Sequence, residues 1–285
     1  MRKFILWKAD KTISFDLNNE RALAVDPTGL GNQFATSYKE ATDRKYLTNI
    51  KPDFEPIAFK IYFNGDGSSG YENYKKLAQF LTKCGKGELL IEYADGITDK
   101  FAKVILKSMP KTEVNADGEM FADCQFERQW YWYEDVAESF ALKTAASLLS
   151  TTFPLSFPFG FAGSVFINKF EISNDFYEDA PIVLSIKGEI KNDIRVAILS
   201  EDSGQTVAEV ALSRGSGEDT EIIIDADTKK ITVTENGETV NGYGLQDPTK
   251  QSFLYLPSGK YIITSSMEQD DAGEISIAIK RYLLD

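Results

Sequence analysis

Apolar side chains recur at every second position in segment after segment of this chain, and at helical spacing in only one. That pattern confines the chain to a mainly β fold. "TISFDL" (12–17) places Ile13, Phe15 and Leu17 on one face, and "PIAFKIYF" (56–63) does the same with Ile57, Phe59, Ile61 and Phe63. "MFADCQF" (120–126) aligns Met120, Ala122, Cys124 and Phe126. "ELLIEY" (88–93) and "KFAKVILKS" (100–108) read as a hairpin across "ADGITD". The exception is "SGYENYKKLAQFLTKCG", where Tyr71, Tyr74, Leu77, Phe80 and Leu81 recur at helical spacing. Ser69 with Glu72 makes a capping box and Gly85 a stop, so one amphipathic helix of three to four turns is expected to cover a sheet face. Residues 26–51 show no sustained period and read as a long loop.

The second half holds no helical segment. "VFINKF", "PIVLSIKG", "DIRVAIL", "VAEVAL", "TEIIID", "KITVT", "SFLYLP", "KYIITSS" and "EISIAIKRYLL" read as short strands. Ile275, Ile277 and Ile279 face one way and Ser276, Ala278 and Lys280 the other, and "ADTK" reads as a tight turn. An antiparallel β-sandwich is expected. A chain of 285 residues suits two domains. Charge marks the boundary: residues 1–149 carry 20 Lys and Arg against 22 Asp and Glu, and residues 150–285 carry 11 against 22. Those nets of −2 and −11 place the domains at 1–149 and 150–285. Between them runs "STTFPLSFPFGFAG" (150–163), with Phe153, Phe157, Phe159 and Phe161 and the strand-blocking Pro154 and Pro158. It reads as an extended crossing whose phenylalanines pin the second domain's entry.

The chemistry available is narrow. There is no histidine, so the commonest general base and the Ser/His and Cys/His arrangements are excluded. Cys84 and Cys124 lie far apart and read as buried free thiols in a reducing compartment. The start "MRKFILWKAD" is too short in apolar residues for a signal peptide, and no apolar run reaches membrane-spanning length, so a soluble protein made in the cytoplasm is expected. "NGDGSSG" (64–70) lacks the Gly-Lys-Ser/Thr ending of a phosphate cradle. Its twelfth position from Asn64 is Lys75, not the glutamate of a calcium loop, so a helix-capping loop is the simpler reading. "QWYWY" (129–133) would put Trp130 and Trp132 on one strand face and Tyr131 and Tyr133 on the other, either as a stacking platform for sugars or bases or as packing at a sheet end. Packing is the reading preferred. The acidic clusters "SNDFYED" (173–179) and "MEQDDAGE" (267–274) show no fixed ligand spacing and read as solvated loops. No catalytic, cofactor-binding or metal-ligating residue is assigned, and no cofactor is expected. The acidic balance argues against a nucleic-acid holder.

Several of these pieces occur in an order that resembles the distal tail protein family of long-tailed, non-contractile bacteriophages. They are "PTGLG" (27–31), "YENYKKLAQFL" (71–81) before "GELLIEY" (87–93), "KFAKVILKSMPKTEVNADGEMFADCQFERQWYWYE" (100–134), "FPLSFPFGF" and "LPSGKYIITSS". The resemblance covers most of the chain. It implies a first domain like tail-tube building blocks, β-sandwich-like with one helix, and a second, galectin-like or carbohydrate-module-like sandwich projecting outward. It implies a non-enzymatic hub at the virion tail tip: a hexamer, single or as stacked rings, around a channel for DNA. The partners implied are the tail tube protein, the tail-tip protein and receptor-binding proteins. An acidic chain suits a ring through which DNA passes without sticking. Ring contacts are expected on residues 26–51 and on strand edges of the first domain. Two other readings remain at this stage, a carbohydrate-binding module for host cell-wall saccharides and a glycan hydrolase using two of the many carboxylates.

Overall fold

The computed structural model describes residues 2–63, 70–85, 89–117, 119–141, 166–189, 193–213, 219–267 and 272–283. The crossing at 150–163, the loop at 64–69 with its capping Ser69, and the expected boundary at 149/150 lie outside the described residues. Contacts divide the chain into two compact units, residues 1–134 with 282–285, and residues 135–281.

The first unit contains β1 (Lys3–Lys8), β2 (Ser14–Asp16), β3 (Asn18–Asn19), β4 (Ala22–Thr28), β5 (Gln33–Ala41), β6 (Arg44–Asp53), β7 (Ile57–Phe63), α1 (Gly70–Cys84), β8 (Leu89–Ala94), β9 (Asp99–Ser108) and β10 (Met120–Arg128), and β11 (Trp132–Ala141) starts in it. Eight of these strands form one antiparallel ladder in the order β2-β1-β8-β9-β10-β7-β4-β3. The alternating residues read from the sequence face one core: Ile57, Phe59, Ile61 and Phe63, with Met120, Ala122, Cys124 and Phe126, are all buried. The ladder curls around that core, since Phe4 on β1 and Phe59 on β7 stand 5.5 Å apart. Asn18 ties the curled ends together. Its Oδ1 accepts from the Phe4 amide and its Nδ2 donates to the Phe4 carbonyl, both at 2.7 Å.

Helix α1 closes one side. Leu77 and Phe80 are buried, with Phe80 5.8 Å from Phe15 and Tyr74 edge-on to Phe63 at 5.7 Å. Gly85 stops the helix at φ +73°, where its amide bonds the Thr82 carbonyl. The β8–β9 hairpin forms as expected, and Asp95 shapes its turn by accepting from the amides of Ile97 and Thr98. Those amides and the Lys100 ammonium hold the Asp95 carboxyl down at about 2.

The second unit contains β12 (Phe166–Asn174), β13 (Ala180–Glu189), β14 (Ile194–Ser200), β15 (Thr206–Leu212), β16 (Thr220–Asp225), β17 (Lys230–Glu235), β18 (Glu238–Asn241), β19 (Tyr255–Leu256) and β20 (Gly259–Met267), and β21 (Ala272–Leu283) runs in it as far as Arg281. One sheet runs β18-β17-β16-β13-β21 and a second runs β12-β20-β14-β15, all antiparallel. Both supply the same core: Ile182, Leu184 and Ile186 of β13 with Ile275, Ile277 and Ile279 of β21 from one sheet, Val196, Ile198 and Ile263 from the other. This is the expected sandwich, with β18 an additional exposed edge strand. The "ADTK" turn joins β16 to β17, with Lys229 at φ +54° and Asp225 accepting from two turn amides.

In the acidic cluster at 173–179, Asp175 and Asp179 are exposed while the segment is anchored from within. Asn174 is fully buried: its Nδ2 donates to the carbonyls of Glu178 and Leu256 and its Oδ1 accepts from the Phe176 amide. All of its amide hydrogens and its acceptor serve the fold, so this segment is a pinned turn.

Both cysteines are free and buried, and burial pushes the Cys124 thiol up to about 12. A thiolate is the reacting species. Thiol reagent at pH 8 is therefore expected to leave Cys124 unmodified in the folded chain and to modify it once urea unfolds the first unit, as read by mass spectrometry. Rapid labelling without denaturant would contradict this packing.

Candidate functional site

The segment read as a long loop is instead a β-hairpin, and this is the main correction to the sequence reading. β5 pairs antiparallel with β6 from Gln33↔Asp53 to Ala41↔Arg44, around a two-residue turn with Thr42 at φ +57°. Every residue of β5 is exposed, and so is every residue of β6 except Pro52. The ribbon, about 30 Å long at the usual strand rise, stands clear of the curled ladder.

Its two faces differ. Side chains of paired residues share a face, and alternate residues along a strand share a face. Phe34 pairs with Pro52, Thr36 with Ile50 and Tyr38 with Leu47. The register shifts between Ser37 and Tyr38, leaving Thr48 as an extra residue whose hydroxyl donates to the Ser37 carbonyl. That shift carries Leu47 onto the face of Ile50 and Pro52. Phe34, Tyr38, Leu47, Ile50 and Pro52 thus form an apolar row on one face, which also carries Thr36 and, at the turn end, the Glu40–Lys45 ion pair. Ser37, Lys39, Asn49 and Lys51 lie on the other, with Tyr46. The apolar face is open: Tyr38 is 56 % exposed and Ile50 54 %. A two-stranded ribbon is marginal in water on its own, so an apolar face of this kind marks a contact surface.

The ribbon's root is built from two motifs that are distant in sequence. "PTGLG" forms the entering foot. Gly29 adopts φ +72°, and a Cβ there would stand 2.1 Å from the Pro56 carbonyl oxygen, so the foot fits only glycine. The Leu30 carbonyl accepts from Trp132 Nε1 at 2.7 Å, and the Gly31 carbonyl accepts from Arg128 Nη2 at 2.8 Å. On the leaving foot, Phe54 stands edge-on to Tyr131 at 5.1 Å and 5.8 Å from Trp130. Gln33 Nε2 donates to Glu55 Oε2 at 3.0 Å.

"QWYWY" therefore belongs to this root. Tyr131, Trp132 and Tyr133 are buried, as packing at a sheet end requires. The expected pairing of Trp130 with Trp132 on one strand face fails, because β11 begins at Trp132 and Trp130 sits in the bend before it. Trp130 is 42 % exposed and packs near Tyr282 at 6.4 Å. Arg128 carried no signal in the sequence reading. It is 2 % exposed, and burial pulls its guanidinium below the usual range while the Glu55 charge works against that shift.

Other candidate sites are weaker. Among the described residues no group of three or more Asp, Glu or Cys could hold a metal ion. A cleft of about 450 Å³ in the second unit is lined by Asp179, Gln251, Phe253 and Tyr255 among others. Its aromatics are engaged: the Tyr255 hydroxyl donates to the Ala226 carbonyl and Phe253 stands edge-on to Tyr243 at 6.1 Å.

Comparison with solved structures matches nearly the whole chain to phage tail components. One match is to the phage p2 baseplate in its activated conformation with Sr, with a TM-score of 0.69, 16 % identity and 98 % of each chain covered. The same baseplate with Ca matches at a TM-score of 0.67. The SPP1 Dit protein, described as a paradigm of the hub adsorption apparatus in phages infecting Gram-positive hosts, matches at a TM-score of 0.57 with 10 % identity over 99 % of each chain. The fold is that of phage baseplate and hub components. Residues 3–129 match the family model described as the distal tail protein, N-terminal domain. No curated protein matches it.

Gly29→Ala is expected to lower stability by about 1–3 kcal/mol, because it forces a side chain into both a left-handed backbone and the Pro56 carbonyl. Urea unfolding followed by tryptophan fluorescence reads it. An unchanged midpoint would show that the two feet are not in contact.

Proposed function

We propose that this chain is a structural subunit of the phage tail hub. Six copies close head-to-tail into a ring around the tail channel, and the hub joins the tail tube to the tail-tip protein and to receptor-binding proteins. The family match and the fold support the hub role. The apolar face of the β5–β6 ribbon carries the self-assembly reading, as a surface that each copy lays on its neighbour. A head-to-tail contact of that kind closes into a ring when the rotation per subunit divides a full turn. We assign ring formation to residues 1–149 and peripheral attachment to residues 150–285. The chain performs no bond chemistry in this reading. It is made in the host cytoplasm and resides at the virion tail tip.

Covering four large, half-exposed apolar side chains contributes about 1 kcal/mol apiece. The interface as a whole should exceed ~1,000 Å² to persist. Light scattering coupled to gel filtration tests the reading. The parent chain is expected to elute with the mass of six chains. Tyr38→Asp with Ile50→Asp puts two carboxylates on the face and should weaken association at least about a hundredfold, giving monomer with unchanged far-UV circular dichroism. A double variant that keeps the parent's assembled mass, or a parent that stays monomeric at tens of micromolar, would contradict it.

A further inference from the structure

Arg128 ends β10, far from the ribbon in sequence, yet it touches both of the ribbon's feet. Nη2 holds the Gly31 carbonyl on the entering side, and the guanidinium carbon lies 5.4 Å from the centre of the Phe54 ring on the leaving side. Phe54 is in turn braced by Tyr131 and Trp130. Trp132 reaches only the entering foot, and the Gln33–Glu55 link is exposed.

A buried arginine is a poor device for stability alone. Nε and Nη1 are buried and have no hydrogen-bond partner among the described residues. The cation is 2 % exposed, and Glu55, whose charge acts on it, makes no ion pair with it among the described residues. Desolvating a charge on these terms is unfavourable, and an apolar replacement of similar volume is commonly neutral or stabilising. What the guanidinium supplies, and an apolar chain cannot, is a rigid planar fork that donates to one strand while lying over an aromatic ring on the other.

We infer that Arg128 is the positioning residue of the ribbon: it clamps the two feet together and thereby sets the direction in which the apolar face is presented. The consequence for assembly rests on the ring reading above; the clamp itself does not. In the absence of the clamp the ribbon pivots at Gly31 and Phe54 while the curled ladder stays folded.

The test uses two spin labels on the full chain, at Asp43→Cys in the ribbon's turn and Lys107→Cys on β9, both exposed positions. Cys84 and Cys124 are buried and stay unlabelled. Labelled chain is diluted into excess unlabelled chain so that only distances within one copy are read by double electron–electron resonance. With Arg128 present, one narrow distance distribution is expected. Arg128→Met should broaden it at least about twofold while shifting the thermal midpoint by no more than about 5 °C. Arg128→Lys, which keeps the charge but not the fork, should broaden it as well. A distribution as narrow as the parent's in both variants overturns the inference. So does a loss of more than about 10 °C in Arg128→Met, which would make Arg128 a general core residue. If Arg128→Met broadens the distances yet assembles as the parent does, the clamp stands and the ribbon's role in the ring falls.

Discussion

A two-stranded ribbon has no second layer with which to cover an apolar face. That constraint governs how this molecule is organised. Both compact units satisfy the same requirement internally: the curled ladder folds its alternating residues around one core under α1, and the second unit presses two sheets together over its isoleucines and valines. Among the described residues, β5 and β6 leave a row of large apolar side chains open. An open surface of this kind marks a place where something else covers it, and in the proposed hub role that cover is a neighbouring subunit.

The root converts that local exposure into directed exposure. Gly29 lets the entering foot lie against Pro56, Trp132 and Arg128 hold consecutive carbonyls, and Phe54 fills the leaving side. Each contact is made by a residue of the first unit's ladder or by one close to a ladder strand in sequence, so the ribbon inherits the rigidity of the core. A flexible ribbon would lose orientational freedom on every docking event and bind more weakly for it.

Most of the scaffold was legible in the sequence because burial writes itself as a period. Ile57 through Phe63 and Ile275 through Ile279 alternate because one face is packed and the other is wet. The ribbon was illegible for the same reason. Neither of its faces is buried within the chain, and the extra residue at Thr48 breaks the spacing, so Leu47, Ile50 and Pro52 share a face without sharing a period of two. Strand β18, exposed at all four positions, hid likewise. "PTGLG" stood out as a motif without revealing its contact, and Arg128 left no trace at all, since its meaning lies in a carbonyl about a hundred residues upstream.

In the proposed hub, one face of the ribbon, and not the other, is covered in the assembled tail. Hydroxyl-radical footprinting reads this directly, because Tyr38 lies on the apolar face and Tyr46 on the opposite one. Intact virions and isolated chains would be oxidised side by side and compared by mass spectrometry. Tyr38 and Phe34 are expected to be strongly protected in virions and Tyr46 much less. Oxidation of Tyr38 in virions as fast as in isolated chains would contradict it.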